Sequence, residues 1–234
     1  MRNSLRFVLL PLLAIATVPV AGCKTSSSGL STAALSADFT IHETVDATTA
    51  KAEFHAPGGA FVELASTDHI SCNGVELQKV GVGNATWYAG VCGGLLPAGL
   101  SYKFELRREL QNNETTPAYV PAMTQFAVTS PARDSVVKIT EPVIVLWSNQ
   151  GGNEKMSVTL EGDCMEKFED SGLEDNGKAI IPLDKLKPKG DSATCDGTLT
   201  VTRFKNGNAL ITKFASAKSE SHYDDVTKLK IATR

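Results

Sequence analysis

Leu96-Pro97-Ala98-Gly99-Leu100-Ser101-Tyr102-Lys103-Phe104-Glu105-Leu106 is the stretch that decides the fold class. Pro97 and Gly99 mark a turn, and strict alternation follows, with Leu100, Tyr102, Phe104 and Leu106 on one side and polar residues on the other. A period of two places alternate side chains on one face, as in a strand with one buried side. The same pattern spreads outward in runs broken by Gly, Pro, Asn or Asp. Strands are expected at Phe39–Glu43, Thr49–His55, Phe61–Ala65, Val75–Val80, Thr86–Cys92, Ser101–Arg107 and Thr124–Val128. No stretch keeps a helical period for twelve residues. The chain reads as all-β.

Thr129-Ser130-Pro131-Ala132-Arg133-Asp134 has the small, polar composition of a linker, after which the pattern restarts. Further strands are expected at Pro142–Ser148, Met156–Leu160, Lys178–Ile181, Thr198–Phe204, Ala209–Phe214 and Val226–Ile231, with one 3₁₀ turn over Pro182–Leu186. The expected organisation is two tandem β-sandwiches, 37–130 and 131–234. Of the 234 residues, 42% are hydrophobic and 21% charged, which excludes a wholly disordered or collagen-like chain. A net charge of −3 without a Lys/Arg cluster argues against nucleic acid as a partner.

Two resemblances refine this picture. The segment around Tyr102 resembles the tyrosine corner of immunoglobulin-like and fibronectin type III domains, which implies that its hydroxyl bonds back to nearby backbone. Pro142–Ser148 is similar to the second strand of a fibronectin-like domain, which implies a core role for Trp147. Together they imply two immunoglobulin-like sandwiches, an architecture that specifies no activity.

The N-terminus carries Arg2 and Arg6, then an uncharged apolar run over residues 7–20, the outline of a signal peptide. At fourteen residues, interrupted by Pro11 and Pro19, the run is shorter than the ~20 needed to span a bilayer. Val20-Ala21-Gly22-Cys23 follows, and it resembles the bacterial lipobox. That resemblance implies cleavage after Gly22, lipid attachment at Cys23 and a membrane partner reached through the anchor. Loss of residues 1–22 removes two basic side chains and no acid, moving the formal charge from −3 to −5. Residues 23–36 read as the lipidated Cys and a flexible tether holding the first domain ~20 Å from the bilayer. By resemblance to enterobacterial sorting, Lys24 in place of Asp favours the outer membrane over the inner.

Four cysteines remain, Cys72, Cys92, Cys164 and Cys195, with no Cys-x-x-Cys pair suited to zinc. An even number in an exported chain points to disulfides. Of three connectivities, Cys72–Cys92 and Cys164–Cys195 keep each bridge within one half.

Catalytic signatures are sparse. Gly172-Leu173-Glu174-Asp175-Asn176-Gly177-Lys178 has phosphate-loop spacing, but Ala179 stands where Ser or Thr must hold magnesium, and the acids would repel phosphate. His42-Glu43 lacks the second His of a zinc-protease helix, and His55, His69 and His222 have no spacing partner. No Gly-x-Ser-x-Gly elbow occurs. Between Glu161 and Asp175, seven acids face only Lys167. That segment reads as a solvated loop, with Asp170, Glu174 and Asp175 as the alternative cation ligands. The expectation is a non-enzymatic envelope module with no cofactor and a protein or glycan partner. The alternatives are an enzyme whose site assembles only in the fold, and an assembly subunit acting through a strand edge.

Overall fold

The computed structural model describes residues 25–82, 84–211 and 213–234. Val20-Ala21-Gly22-Cys23 and Lys24 lie outside the described residues. The chain is all-β, in line with its period-two patterning. Its main strands are β1 (Ser36–Thr44), β2 (Thr48–His55), β3 (Asp68–Cys72), β4 (Gln78–Val82), β5 (Ala85–Val91), β6 (Ser101–Arg108), β7 (Glu114–Pro121) and β8 (Val128–Ser130). They continue as β9 (Val136–Lys138), β10 (Val143–Trp147), β11 (Lys155–Gly162), β12 (Met165–Glu174), β13 (Lys178–Ile181), β14 (Thr194–Asn208) and β15 (Ser216–Ala232).

One long sheet runs β12-β11-β14-β15-β1-β2-β5-β4. The first half of β15 lies parallel to β1, from Ser216 opposite Ser36 to Asp224 opposite Thr44, and its last residues pair with β9. A five-stranded sheet, Leu210–Ile211, β7, β6, β3 and Val75–Glu76, covers one end of the long sheet. Between them lies a core that includes Phe39, Phe54, Phe104 and Phe214. The three-stranded sheet β8-β10-β13 covers the other end, over Trp147, Val158, Leu160, Val201, Tyr223 and Ile231. These are two sandwiches that share one sheet.

Burial follows sequence alternation along β15. Ala217, Ser219, Ser221 and Tyr223 point inward in its first half, and Thr227, Leu229 and Ile231 in its second. The small residues serve the first core and the large ones the second. Gly162 faces Gly197 across β11 and β14; a Cβ on Gly162 would come within 2.9 Å of Asp196 O, and one on Gly197 within 2.3 Å of Ile231 Cδ1, so a side chain at either would force the buried Ile231 or the backbone to shift.

Three sequence expectations need correction. The cores do not part at residue 131: Ala122 belongs to the first and Met123 to the second, while Ala209, Phe214 and Ala217 return to the first. Long β-strands pair wherever registers match, and β15 is long enough to reach both sandwiches. The tether is the second correction. Thr25–Ser26 pairs in parallel with Val62–Glu63, Leu35 is fully buried, and Ser27 and Thr32 are also inside. Ser27 Oγ donates to Asp68 Oδ2 at 2.6 Å, Arg108 Nε donates to the same oxygen at 3.2 Å, and the Arg108 guanidinium also holds Ser27 O and Thr32 Oγ1. Small polar residues can be buried when such partners satisfy them. Third, the acidic segment is no loop. Glu161 is the next-to-last residue of β11, Asp163 and Cys164 make the turn, and Met165–Glu174 is the edge strand β12, paired with β11, with Asp175 just beyond it.

The structure also differs in detail from the strand reading. Val75–Val80 splits between two sheets, Phe61–Ala65 shrinks to Val62–Glu63, and β3 and β7 appear where no strand was expected. Leu183–Lys185 forms the expected 3₁₀ turn.

Expressed alone, 37–130 keeps β2 beside β1 but lacks β15 on its other side and the buried Phe214. A buried aromatic contributes roughly 1.5–3 kcal/mol against a typical domain margin of about 5–15 kcal/mol. The fragment is therefore expected to show no cooperative thermal transition, whereas 25–234 melts cooperatively. A sharp transition for 37–130 by circular dichroism would show that the shared strand is dispensable.

Candidate functional site

Tyr102 and Trp147 are both core residues. The Tyr102 hydroxyl accepts from the backbone N–H of Leu96 at 3.0 Å and donates to Glu43 Oε1 at 2.6 Å. Glu43 Oε2 takes the backbone N–H of Met123 at 3.0 Å, so a fully buried carboxylate ties the first sandwich to the first residue of the second core. Burial raises the Glu43 carboxyl pKa despite these bonds, and burial together with the Glu43 bond pushes the Tyr102 phenol up to about 12. Ser221 Oγ donates to Pro121 O at 2.8 Å in the same layer. The seam between the cores is thus polar and internally satisfied. Cys72 meets Cys92, and Cys164 meets Cys195, at Cα separations of 5.1 and 5.7 Å.

The three candidate cation ligands are not brought together. The Asp175 side chain is fully buried and its Oδ2 lies 2.7 Å from Arg203. It also accepts from Trp147 Nε1 at 2.7 Å and from Gly151 N at 2.6 Å. Arg203 in turn lies over the Phe126 ring and donates to the carbonyls of Thr124 and Asn149. Asp175 is therefore a structural anchor of the second core. Glu174 pairs with Lys155.

Chemistry gathers instead on the open face of the long sheet. Successive rows of outward side chains cross β2, β1, β15 and β14 in register: Thr49, His42, His222 and Phe204; then Lys51, Thr40, Glu220 and Asn206. The next row runs Trp87, Glu53, Asp38, Lys218 and Asn208. His42 Nε2 lies 2.6 Å from Asp224 Oδ2, across the join of β1 with β15. His222 Nε2 lies 3.0 Å from Glu220, its ring 5.9 Å from that of His42 and stacked on Phe204. Hydrogen bonding to Asp224 raises the His42 pKa against the opposing effect of burial. Burial opposes ionisation of Asp224, but bonds from His42 and Thr202 and the positive field of the two imidazoles outweigh it and hold its carboxyl below the usual range.

A second group lies two rows away. Asp38, Glu53 and His55 place their donor atoms within 4.8 Å of one another, and among the described residues they are the one set arranged to hold a metal. Neither group shows in the spacing of the imidazoles, because Asp224 for His42 and Asp38 for His55 come from other strands. Glu53-Phe54-His55 was the one visible signal, two potential ligands at a spacing of two within an expected strand.

No family model matches the chain, and no curated protein matches it. Among solved structures it is similar to the fibronectin(III)-like modules of CbhA from Clostridium thermocellum, at 10% identity and a TM-score of 0.25, covering 84% of this chain and 94% of that one. It is also similar to DIP-gamma IG1+IG2, at 5% identity and a TM-score of 0.23, covering 85% and 98%. A bacterial ice-binding adhesin aligns at 16% identity and a TM-score of 0.22, covering 85% and 66%. The strand order and registers, not these low scores, define the architecture.

Two outcomes follow. With Asp175 committed to Arg203, melting curves in millimolar calcium and in sodium chloride of equal ionic strength are expected to coincide; a calcium-specific rise abolished by Asp170→Asn would contradict this. For His42, the folded pKa lies above the unfolded value of 6.5. Its stabilisation is therefore complete below pH ~6.5 and lost as pH rises through the higher folded value. With His42 half exposed, the effect is on the order of 0.5 kcal/mol. His42→Gln is expected to flatten the stability profile in that window, and an unchanged profile by denaturant titration would refute the pairing.

Proposed function

We propose that this chain is a lipid-anchored cell-envelope protein, attached through Cys23, acting as a non-enzymatic binding or structural module that presents the open face of its long sheet to a protein or glycan. The supporting observation is that one continuous sheet carries ordered rows of polar, imidazole and aromatic side chains across both sandwiches. A shared sheet resists bending between the two units better than a linker, so the whole face can meet a partner without a large ordering cost. Lys24 favours the outer membrane. Action through the β12 edge has weaker support, because Glu166, Lys167, Glu169 and Asp170 charge that edge, a common device against strand addition.

The anchor geometry sharpens the proposal. Thr25 N donates to Phe61 O at 3.2 Å, and only two residue steps separate Thr25 from Cys23. At ~3.3–3.6 Å per residue the lipidated Cys reaches no more than about 7 Å from the sandwich. The first sandwich therefore rests at the bilayer surface in place of floating on a tether.

The test is Cys23→Ser with metabolic labelling by an alkyne fatty acid. Label and membrane fractionation are both expected to disappear, with the variant accumulating as uncleaved precursor. Retention of label on the variant would overturn the anchor.

A further inference from the structure

We propose that Asp38, Glu53 and His55 form a binding site for one divalent transition-metal ion of the zinc class on the open face of the first sandwich. The placement is a product of register. Glu53 and His55 stand two apart on β2 and so share a face, and Asp38 is the direct partner of Glu53 on β1. Imidazole with two carboxylates is a donor set that suits zinc and its neighbours better than calcium or magnesium, which prefer oxygen alone.

The distances discriminate between two arrangements of the same residue types on the same sheet. His42 and Asp224, at 2.6 Å, form a hydrogen bond. His55 Nε2 and Asp38 Oδ2 stand 3.4 Å apart, longer than the about 2.7–2.9 Å of a charge-assisted bond. Two ligands each about 2.0–2.1 Å from a tetrahedral ion stand about 3.3–3.4 Å from one another. A separation of 3.4 Å thus fits neighbouring ligands as well as an ion pair, and the Glu53 carboxylate lies within 4.8 Å of both. The His55 ring packs on Phe61 with centroids 4.9 Å apart, which restricts its orientation.

Electrostatics supports a cation here. Asp38 and Glu53 face one another directly across antiparallel strands, a placement that repels unless positive charge intervenes. Lys51 supplies part of that charge, with its Nζ 2.6 Å from Glu53 Oε1 and over the Trp87 ring, and Lys218 stands opposite Asp38 in register. These lysines compete with an ion, which sets the affinity of the site well below that of a closed structural zinc centre. A cleft of about 340 Å³ lies against the two carboxylates, its walls including Asp38, Lys51, Glu53, Lys218 and Glu220 but not His55.

The experiment titrates zinc sulfate into the full chain by calorimetry, with cobalt(II) absorption as a second readout of tetrahedral coordination. One ion per chain is expected. Asp38→Asn and His55→Gln should each weaken binding by at least about tenfold, the lower end of what losing even an outer partner of a metal ligand costs. His42→Gln should leave it unchanged, and Lys51→Met should tighten it by removing the rival cation. No heat and no cobalt spectrum at millimolar metal would overturn the site. So would binding that survives both Asp38→Asn and His55→Gln, or binding lost in His42→Gln, which would place the ion on the other imidazole pair. Should either ligand variant fail to fold, failure of Lys51→Met to tighten binding counts against the proposal.

Discussion

The parallel ladder between β15 and β1 is the constraint on which the rest of the molecule depends. Nine residues of a C-terminal strand pair in register with an N-terminal one, from Ser216 opposite Ser36 to Asp224 opposite Thr44. That ladder makes two sandwiches into one sheet. It brings His222 beside His42 and Lys218 beside Asp38, and its inward face carries Ser219 and Ser221 into the layer between the cores. Next along the same face Glu43, in register with Tyr223, has its two oxygens taken by Tyr102 and by the backbone of Met123. Such a buried carboxylate carries a desolvation penalty, so removing its partners is costly in a way that a surface pair is not.

Two buried ion pairs set the boundaries of this frame. Arg108 with Asp68 fastens the N-terminal segment, through Ser27 and Thr32, to the first sandwich. Arg203 with Asp175 closes the second core, between Trp147 and Phe126. In both, the guanidinium also satisfies backbone carbonyls, which allows charge to lie where water does not reach. A lipid attached two residues before Thr25 would thus be joined to a fixed point on the protein.

Local patterning was legible where one face is wet and the other dry. Ser101–Leu106 alternates strictly and the structure follows it residue by residue, while Leu100 before it is exposed and Arg108 after it is buried as a charge. It was illegible where composition argues against a strand that tertiary pairing nevertheless forms. Glu114–Pro121 contains Pro117 and Pro121, tolerated because only the two-residue Leu210–Ile211 borders it on its far side. Met165–Glu174 is too acidic to resemble a buried strand, and it is not one; as an edge it keeps its charges in water.

The sequence by itself determined the all-β class, because the alternation of apolar and polar residues is local to each strand; the within-half cysteine pairing and the core roles of Tyr102 and Trp147 came from an assumed domain division and from resemblance. Only the tertiary structure decided that Asp175 answers to Arg203, that residues 25–35 are packed, and that Asp38, Glu53 and His55 converge. Those outcomes depend on strand register between distant segments. A shift of one residue would turn every one of these side chains to the opposite face, and nothing in a local pattern specifies which distant strand will be the neighbour.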